Sequence, residues 1–444
     1  MADTAPMSIV MQRPIDASPV VHTRANRKVD LQQVEIILDL SRLLSRMLHP
    51  MPTGVDRVEM AYARTLLDLV PGQLAFAAVN PLGYYGRLNR ADVLRFLDET
   101  EQRWARSGQV GRWSLRARAV RTLWRMRPRR IPKREQGIQR VYVQASPNHL
   151  HHPTRVESKL RREGAKFLCL VHDLIPIEFP EYARPNGAAL HRRRMETLVA
   201  LADGLIANSR ATANSTERFI AFSTHKPIVR AAHLGTDIPS GESFTAMPRL
   251  PAKPYFVVIS TIEPRKNHIM LLNIWRRMVE QYGAADTPHL ILIGRRGWEN
   301  ENVVDMLERC EALQHHVSEY AGLSDRAVLT MLRGARALLL PSFAEGFGMP
   351  VSEALAIGTP VICSDLPALR EAGCGIPDEI DPLDGPAWIR TIRDYSSENS
   401  PMRAAQMRRM ERCELPTWHD HLETVLNLVA EVAHADHVKG VTAG

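Results

Sequence analysis

The sequence lacks the features that mark several classes of protein. No stretch approaches about 18 uninterrupted apolar residues, so no membrane-spanning helix is predicted. The N-terminus has no basic start followed by an apolar run and a small-residue cleavage site, which predicts no secretion signal. The five cysteines are scattered without a metal-binding spacing, and this favours reduced thiols. We therefore expect a cytoplasmic protein.

Motifs for several chemistries are also missing. There is no Gly-x-Ser-x-Gly elbow and no Gly-Lys-Ser/Thr phosphate loop, so hydrolases and nucleotide triphosphatases lack their key residues. No Asp-x-Asp pair offers a divalent cation a bridging seat. His149, His151 and His152 lie close together, but a polar loop explains them better than a metal site does. We expect neither a metal nor an organic cofactor.

Negative charge is absent from one long segment. Residues 103–134 contain twelve Lys or Arg and no Asp or Glu, in a chain of net charge +8. Trp104, Trp113 and Trp124 are interleaved with these cations. Basic residues with tryptophan in an amphipathic segment suit an anionic membrane surface, so residues 103–134 predict peripheral membrane association. A solvated charged helix or insert is the alternative, and no nucleic-acid recognition motif accompanies the charge.

The remainder of the chain has the composition of a globular α/β protein. Its 444 residues are 45% hydrophobic and 24% charged, enough for two or three domains. Short, continuously apolar runs alternate with helical patterns, which predicts parallel sheets covered on both faces. The predicted strands of the first half are Glu35–Leu40, Leu74–Val79, Val141–Ala145, Phe167–Val171 and Gly204–Ala207. Those of the second half are Tyr255–Ser260, Leu290–Ile293, Val317–Tyr320, Ala337–Leu340 and Pro360–Cys363.

A stretch rich in proline, serine and glycine at residues 238–254 interrupts this series of strands. The predicted organisation is a disordered tail, two α/β halves joined by a linker, and a C-terminal helix with a tail. These parts cover residues 1–33, 34–240 with a basic insert at 100–135, 255–415 after a linker at 241–254, and 416–444. Ligands of open parallel sheets bind outside the carboxyl ends of the strands, so the cleft between two facing sheets is the predicted active site.

Glu345 and Glu353 stand eight positions apart across a glycine-rich turn. The preceding residues 338–342 predict a buried strand, and Pro350 predicts the start of a helix over 350–357. Free backbone N–H groups and the dipole at such a helix start favour a phosphate. From the spacing alone, a plain strand–loop–helix joint with two solvated glutamates is equally compatible.

Polar residues follow other predicted strands. Arg265 and Lys266 stand at a helix start after the strand at 255–260, where two cations and a helix dipole can clamp a diphosphate. A basic surface turn is the alternative interpretation. Gly294 follows the next strand, and the lack of a side chain at this position would permit the close approach of a ligand.

The first half offers three candidates of this kind. His172 and Asp173 follow an apolar strand and could donate hydrogen bonds or move protons, although a structural role is also open. Asn208-Ser209 follows another strand and is predicted to cap a helix that begins near Arg210. Gly54 lies before a helical pattern over 58–69, where it suits contact with an acceptor or phosphate or a plain helix start.

Together these motifs resemble a retaining glycosyltransferase of family 4, over about residues 35–435. The most specific part is the Glu, seven residues, Glu signature of Glu345 to Glu353. Residues 261–267 are similar to the phosphate-binding turn of that family. Residues 294–298 and the His172-Asp173 pair resemble the branch of bacterial polysaccharide mannosyl- and rhamnosyltransferases. The resemblance implies the GT-B fold, with two facing Rossmann-like domains and the active site between them.

The resemblance also implies roles for individual residues. Lys266 with Arg265 would hold the donor diphosphate, Glu345 the hydroxyls of the transferred sugar, and Glu353 the ribose hydroxyls. His172 would lie beside the sugar, so Glu345, His172 and Lys266 are the catalytic candidates. The remaining donor-site residues would be Gly294, Tyr320, Gly346, Phe347, Gly348 and Met349, with Gly54 and Asp173 on the acceptor side.

The reaction implied by the resemblance moves a hexose, with mannose favoured, from a nucleotide-diphosphate sugar such as GDP-mannose. The acceptor would be a lipid-linked glycan or polysaccharide at the inner face of the cell membrane. Two departures from the family pattern concern donor binding: Ser260-Thr261 stands where many relatives have an arginine, and residues 372–377 differ near the nucleotide. A sugar-nucleotide epimerase of similar fold and a non-catalytic membrane-bound assembly subunit are the alternatives.

Overall fold

The computed structural model describes residues 31–49, 51–105, 120–236 and 250–441, with side chains described up to residue 435. Most of the predicted tail and linker, residues 1–30 and 241–249, therefore lie outside the described residues. Leu31 is buried, and the Gln139 N–H donates to the Gln33 carbonyl at 2.8 Å. The packed part of the first half thus includes residues 31–33, which the sequence had assigned to the tail.

The first half is built on a seven-stranded sheet in the order β3-β2-β1-β4-β5-β6-β7. All neighbouring strands are parallel except β2 and β3, which form an antiparallel pair. The strands are β1 (Val34–Asp39), β2 (Leu74–Val79), β3 (Tyr85–Arg87), β4 (Gln139–Gln144), β5 (Ala165–Val171), β6 (Gly204–Ala207) and β7 (Ile228–Ala231).

The second half is built on a six-stranded parallel sheet in the order β10-β9-β8-β11-β12-β13. Its strands are β8 (Tyr255–Ile259), β9 (His289–Ile293), β10 (Val317–Tyr320), β11 (Leu338–Leu340), β12 (Val361–Ser364) and β13 (Asp378–Ile380). In both sheets the chain order reverses beside the first strand, which is the switch point where open α/β sheets bind ligands.

Helices connect the strands and cover both faces of each sheet. In the first half they are Ser41–Ser45, Gly54–Leu69, Arg90–Ala105, Pro153–Glu163, Ile175–Glu178, Gly187–Leu201 and Arg210–Ile220, and residues 120–125 are also helical. In the second half they are His268–Asp286, Glu301–Arg309, Asp325–Gly334, Met349–Ala356, Pro367–Ala372, Gly385–Ser396, Pro401–Met410 and Trp418–Val441. Short 3₁₀ turns occupy Pro180–Tyr182, Pro264–Lys266 and Glu311–Leu313.

Successive residues of the central strands enter different hydrophobic clusters. Ile36 and Leu38 of β1 pack on one face of the first sheet, and Ile37 packs on the other. Val257 and Val258 of β8 divide in the same way between the faces of the second sheet. Because both faces are buried, these strands are continuously apolar and do not alternate. The predicted α/β class with two parallel sheets is confirmed.

The last helix, Trp418–Val441, returns to the first half. The Tyr62 hydroxyl and the His421 Nε2 are 2.7 Å apart, and His421 Nδ1 lies 3.0 Å from the carbonyl oxygen of His233. Leu428 fills the space beside Gly204, where an added Cβ would lie 3.0 Å from its Cδ2. This helix therefore ties the C-terminal end of the chain to the first sheet.

The basic segment differs from a continuous amphipathic surface. Trp104 is buried in the hydrophobic core of the first half, as is Met126, so Trp104 is unavailable to a membrane. Val120 and Trp124, by contrast, are 68% and 69% exposed. Trp113 belongs to residues 106–119, outside the described residues. Within the part of the chain that is described, none of the helices combines the length and apolar character needed to cross a bilayer.

Candidate functional site

The two halves touch through loops that follow their parallel strands. The loop after β11 contains Gly346, and the loop after β5 contains His172 and Asp173. A Cβ added to Gly346 would lie 2.2 Å from the His172 carbonyl oxygen and 2.9 Å from the Asp173 Cβ. Only glycine permits this approach, so the motif glycine brings the two predicted sides of the active site together.

Four charged side chains form a cluster at the carboxyl ends of β8 and β11. Glu345 Oε1 lies 2.5 Å from Lys266 Nζ, and Glu345 Oε2 accepts a 2.9 Å hydrogen bond from Arg265. The Arg265 Nε lies 2.7 Å from the second carboxylate, Glu263. Three local segments bring these groups together: the 3₁₀ turn Pro264–Lys266, the residue before it, and the loop after β11. We call Glu263, Arg265, Lys266 and Glu345 the cleft cluster.

Positive charge dominates the environment of Glu345. Burial alone would raise the pKa of this carboxyl, but Lys266 and Arg265 outweigh it and lower the pKa to about 2. The Ser342 hydroxyl donates a further hydrogen bond of 2.7 Å. Burial also lowers the pKa of Lys266, against the attraction of Glu345. Glu345 is therefore ionised at neutral pH, and it can only accept hydrogen bonds.

Burial raises the pKa of Glu263, the other carboxylate of the cleft cluster, although Arg265 and Lys266 oppose this effect. A second contact fixes Arg265, whose Nη1 donates to the Ala344 carbonyl at 2.9 Å. Each cation of the cluster is thus held beside Glu345 before any ligand binds. An arriving diphosphate would share or displace these contacts, and its charge would meet groups that are already oriented.

His172 and Asp173 form the opposite wall. His172 Nε2 lies 2.8 Å from the Ala145 carbonyl, which places the ring proton on Nε2 and leaves Nδ1 as an acceptor. Burial lowers the pKa of His172, so the neutral ring predominates. Asp173 accepts a hydrogen bond from the Ile175 N–H at 3.1 Å, and its charge contributes to the raised pKa of Arg265 after those of Glu345 and Glu263. The pair therefore faces the cleft cluster.

Glu353 lies apart from Glu345, on the helix Met349–Ala356, which begins one residue before the predicted start. Its carboxylate is half-buried and lies in the field of Arg57, a residue of the first half. Arg57 donates to both carboxylate oxygens of Asp325, with Nη1 at 3.0 Å. Burial would lower the pKa of Arg57, but Asp325 and Glu353 raise it. The Arg57–Asp325 ion pair joins the two halves near Glu353, the residue predicted to bind ribose.

The helix that carries Arg57 begins at Gly54, four residues before the predicted start. Thr53 is its N-cap, and Asp56 completes a reciprocal capping box. Gly54 lies in ordinary contact with Met349 of the other half, because an added Cβ would be 3.6 Å from the methionine Cε. The predicted acceptor-side residue Gly54 thus faces Met349, which is one of the predicted donor-site residues.

Other predicted donor-site residues have structural roles. A Cβ on Gly294 would lie 1.8 Å from the Ser260 carbonyl oxygen, so the packing of neighbouring strand ends requires glycine at this position. The Gly294 N–H donates to the Tyr320 carbonyl at 2.9 Å. The Phe347 side chain is buried, so the contact with sugar implied for this residue can come only from its backbone. Gly348 has φ 103° and is the N-cap of the following helix.

Several contacts between the halves were not predicted. Tyr182 stacks on Phe343 with ring centroids 5.9 Å apart, and the Arg184 guanidinium lies 4.5 Å from the centre of the Trp298 ring. Ser209 caps its helix as predicted, since the Thr212 N–H donates to its hydroxyl at 3.0 Å. The Ser209 hydroxyl also donates a hydrogen bond to the Gly346 carbonyl of the other half. In each contact between the halves, the two partners are distant in sequence, so no local motif could have predicted it.

Among the described residues no three His, Cys, Asp or Glu side chains are arranged to hold a metal ion. The rings of His151 and His152 are in contact, with centroids 3.9 Å apart and planes tilted by 44°. Burial, followed by the charge of His152, lowers the pKa of His151. These histidines belong to the loop after β4.

Comparison with known proteins finds a family model that matches part of the second half. Residues 243–373 match the family model "Glycosyl transferases group 1". The chain is 31% identical over 238 residues to the serotype-specific mannosyltransferase WbdA of Escherichia coli. The matched region covers 49% of this chain and 28% of WbdA. It is 30% identical over 174 residues to the O-antigen chain mannosyltransferase B of Escherichia coli, covering 39% of this chain and 45% of that protein. The chain thus spans less than half the length of either relative.

The fold has a solved counterpart that extends over most of the chain. Anabaena Alr3699/HepE, solved in complex with UDP and glucose, superposes with a TM-score of 0.54 at 13% sequence identity. The match covers 92% of this chain and all of HepE. At this identity the likeness concerns the fold alone. The chain therefore has the GT-B fold, matches the group 1 glycosyl transferase model over residues 243–373 and resembles bacterial mannosyltransferases, as its sequence motifs predict.

Proposed function

We propose that this chain is a hexosyltransferase that moves a sugar, with mannose favoured, from a nucleotide-diphosphate donor to a lipid-linked or polysaccharide acceptor, with retention of configuration. The mannosyltransferase names of its sequence relatives support the sugar. The observation that carries the proposal is the cleft cluster. It places two cations and an ionised Glu345 at the strand ends that face His172.

Glu345 binds sugar hydroxyls in this proposal. A carboxyl with a pKa of about 2 has no proton to give at neutral pH, so it cannot act as a general acid. Both of its oxygens are instead oriented acceptors, as a donor sugar with several hydroxyls requires. Arg265 and Lys266 each hold one oxygen of Glu345, and this pairing makes the carboxylate a weak nucleophile. Displacement on the front face of the donor sugar agrees with that arrangement.

Lys266 and Arg265 stabilise the departing diphosphate. As the glycosidic bond breaks, negative charge grows on the phosphate, and both cations are already desolvated beside that position. We therefore propose that the protein's own cations neutralise the leaving group without a metal. Full activity in excess chelator is expected. Recovery of activity only on readdition of a divalent cation would refute this part.

The donor can be identified by thermal shift. GDP-, UDP- and dTDP-sugars are added in turn, and the true donor raises Tm because it binds only the folded state. GDP-mannose is the favoured donor. The donor that stabilises is then incubated with and without acceptor, and products are separated. Conversion of the nucleotide sugar without any glycosyl product would replace transfer by epimerisation.

Glu353 tests the geometry of the donor site. We expect Glu353→Ala to lower transfer by about two orders of magnitude, through loss of the ribose contact and of the charge beside Arg57. Glu301→Ala is the matched control, because Glu301 is an exposed glutamate in the first turn of another helix in the same half. Near-normal turnover of folded Glu353→Ala protein would remove the donor assignment.

Peripheral membrane association is part of the same proposal. Val120 and Trp124 lie one helical turn apart, both exposed, among the arginines of residues 120–130. Arg127 lies 5.3 Å from the centre of the Trp124 ring. Exposed apolar side chains flanked by cations suit the boundary of an anionic lipid surface, which would bring the enzyme to a lipid-linked acceptor.

Flotation with phosphatidylglycerol vesicles tests this surface. The paired substitution Val120→Ser and Trp124→Ser is expected to reduce co-flotation severalfold and leave transfer to a water-soluble acceptor unchanged. Leu82→Ser is the control, since Leu82 is 80% exposed outside the basic segment. Equal flotation of the paired variant and the control would refute the membrane role of Val120 and Trp124.

A further inference from the structure

The carbonyl oxygen of Gly346 accepts two hydrogen bonds from the other half of the molecule. The Ser209 hydroxyl donates to it at 2.7 Å, and the Thr212 hydroxyl donates at 3.1 Å. Both hydroxyl-bearing residues are buried, in the first turn of the helix Arg210–Ile220. Gly346 follows Glu345 directly, so these two bonds act on the loop that carries the central carboxylate of the cleft cluster.

The same helix start receives a second group from the second half. Glu371 accepts hydrogen bonds from the N–H groups of Arg210 at 2.6 Å and Ala211 at 2.9 Å. Its carboxylate also lies 2.8 Å from His233 Nε2. The start of this helix favours a negative charge, so Glu371 stabilises the contact between the halves while the two hydroxyls hold the loop.

We propose that Ser209 and Thr212 are positioning residues that orient the donor-binding loop through the Gly346 carbonyl. This inference rests on the proposed function and names residues of the acceptor half that act on the donor half. Both hydroxyls must reach across the cleft, so the loop acquires this orientation only when the two halves are closed. Closure and correct donor geometry are thereby coupled.

The planarity of the peptide bond explains how a carbonyl contact acts on the donor. The Gly346 C=O and the Phe347 N–H belong to one rigid plane and point in opposite directions. Two hydrogen bonds to the oxygen therefore fix the direction of the Phe347 N–H, which belongs to the backbone that the family resemblance places in contact with the sugar. If the hydroxyls were removed, this peptide plane could rotate, and the N–H would no longer be held toward the transferred sugar, a contact that a nucleoside diphosphate cannot make.

Thr212 provides the cleanest test, because valine has nearly the same shape and lacks the hydroxyl. Thr212→Val is expected to lower kcat about fivefold, the rate equivalent of one neutral hydrogen bond. Thr212→Ser keeps the hydroxyl and is expected to retain the wild-type kcat. Ser215→Ala is the matched control for hydroxyl loss, because Ser215 lies on the same helix with its oxygen turned to Arg218.

Ser209 requires a different substitution, because its hydroxyl also caps the helix. Ser209→Gly removes the hydroxyl without burying a charge beside Glu371, and glycine is itself a favourable N-cap residue, so little helix stability is lost. A loss of kcat of about tenfold or more is expected, with Tm close to the wild-type value. Binding of GDP, UDP or dTDP, whichever the wild type prefers, should be unchanged, because the diphosphate contacts belong to the second half.

Two outcomes would overturn the inference. One is an equal kcat for Thr212→Val and Thr212→Ser. The other is a parallel fall of Tm and nucleotide affinity, which indicates a structural role. Amide hydrogen exchange of a peptide that contains residues 345–349 gives a readout independent of catalysis, and faster exchange in Thr212→Val than in Thr212→Ser is expected. If the wild type transfers no sugar, the proposed function fails, while the exchange result still decides the role of the hydroxyls.

Discussion

Two buried clusters of this molecule contain the same set of charges, two cations and two carboxylates. One is the cleft cluster. The other, which we call the basal cluster, consists of Glu35, Arg87, Arg140 and Glu163 in the first half. Arg87 donates to both oxygens of Glu163 at 2.9 Å and to Glu35 at 2.8 Å. Arg140 donates to Glu35 at 2.6 Å.

The two clusters differ in their place on the sheet. Glu35 and Arg140 lie near the amino ends of β1 and β4, away from the opposing half. The cleft cluster follows the carboxyl ends of β8 and β11 and faces His172. Charge composition is therefore a poor guide to function in this fold. The strand end that a cluster occupies decides whether a ligand can reach it.

The largest expected effect distinguishes the basal cluster as structural. Arg87→Met leaves Glu163, whose side chain is fully buried, without its principal cation. We expect the free energy of unfolding to fall by about 3–5 kcal/mol, while kcat per folded molecule stays at the wild-type value. Urea unfolding and active-site titration measure the two quantities. Arg134→Met is the surface control, and a loss of kcat at full stability would break the comparison.

Lys266→Ala tests the cleft cluster in the opposite sense. Transfer should fall by about two orders of magnitude, because one of the two cations that meet the leaving diphosphate is gone. Stability should change less than in Arg87→Met, since Arg265 still pairs with Glu345. Steady-state kinetics with the identified donor provide the measurement. Lys253→Ala, an exposed lysine of the same half, controls for loss of charge, and comparable turnover of the two variants would contradict the assignment.

A buried carboxylate outside both clusters sharpens the comparison, because no side-chain cation among the described residues forms an ion pair with it. Glu59 is fully buried, accepts one bond from the Leu43 N–H at 3.0 Å, and leaves Oε2 without a partner among the described residues. Burial, followed by the nearby charge of Asp39, raises its pKa to about 8. Glu345 is equally enclosed, but its two cations lower its pKa to about 2.

These two glutamates give stability opposite dependences on pH. The stability that Glu345 contributes is complete above its ordinary pKa of 4.5 and is lost as the pH falls toward 2. Glu59 keeps its proton in the folded protein, so stability decreases as the pH rises from 4.5 to about 8. Glu59→Gln should reduce this loss of stability with rising pH, and should stabilise the protein near pH 8 relative to the wild type. Urea unfolding at about pH 5 and about pH 8 measures the free energy of unfolding. The same pH dependence in the variant and the wild type would refute the raised pKa of Glu59.

The sequence predicts every central strand but only one of the four edge strands, β10. β2, β6 and β10 have their predicted limits, and the other predicted strands differ by at most two residues at either end. The strands that were not predicted, β3, β7 and β13, lie at sheet edges. β3 reads Tyr-Gly-Arg and β13 reads Asp-Glu-Ile, because an edge strand needs no continuous apolar run. Their pairing depends on a neighbour that is distant in sequence.

The same distinction applies to the site. Arg265 and Lys266 were predicted because adjacent residues after an apolar strand must lie at the same strand end. Arg57 and Asp325 are 268 positions apart, and no local pattern relates them. Local sequence also cannot show that a Ser260 carbonyl lies where a side chain at position 294 would be, so this packing reason for Gly294 appears only in the structure.

The sequence by itself determined the α/β alternation, the strand ends that carry Glu345, Lys266 and His172, and the resemblance to GT-B glycosyltransferases. These follow from local periodicity and from short motifs whose members are neighbours along the chain. Only the tertiary structure decided which cations pair with Glu345, which charged cluster faces the cleft, and that Ser209 and Thr212 hold the donor loop. Such relations require the packing of two separately formed sheets, and no segment of the chain contains that information alone.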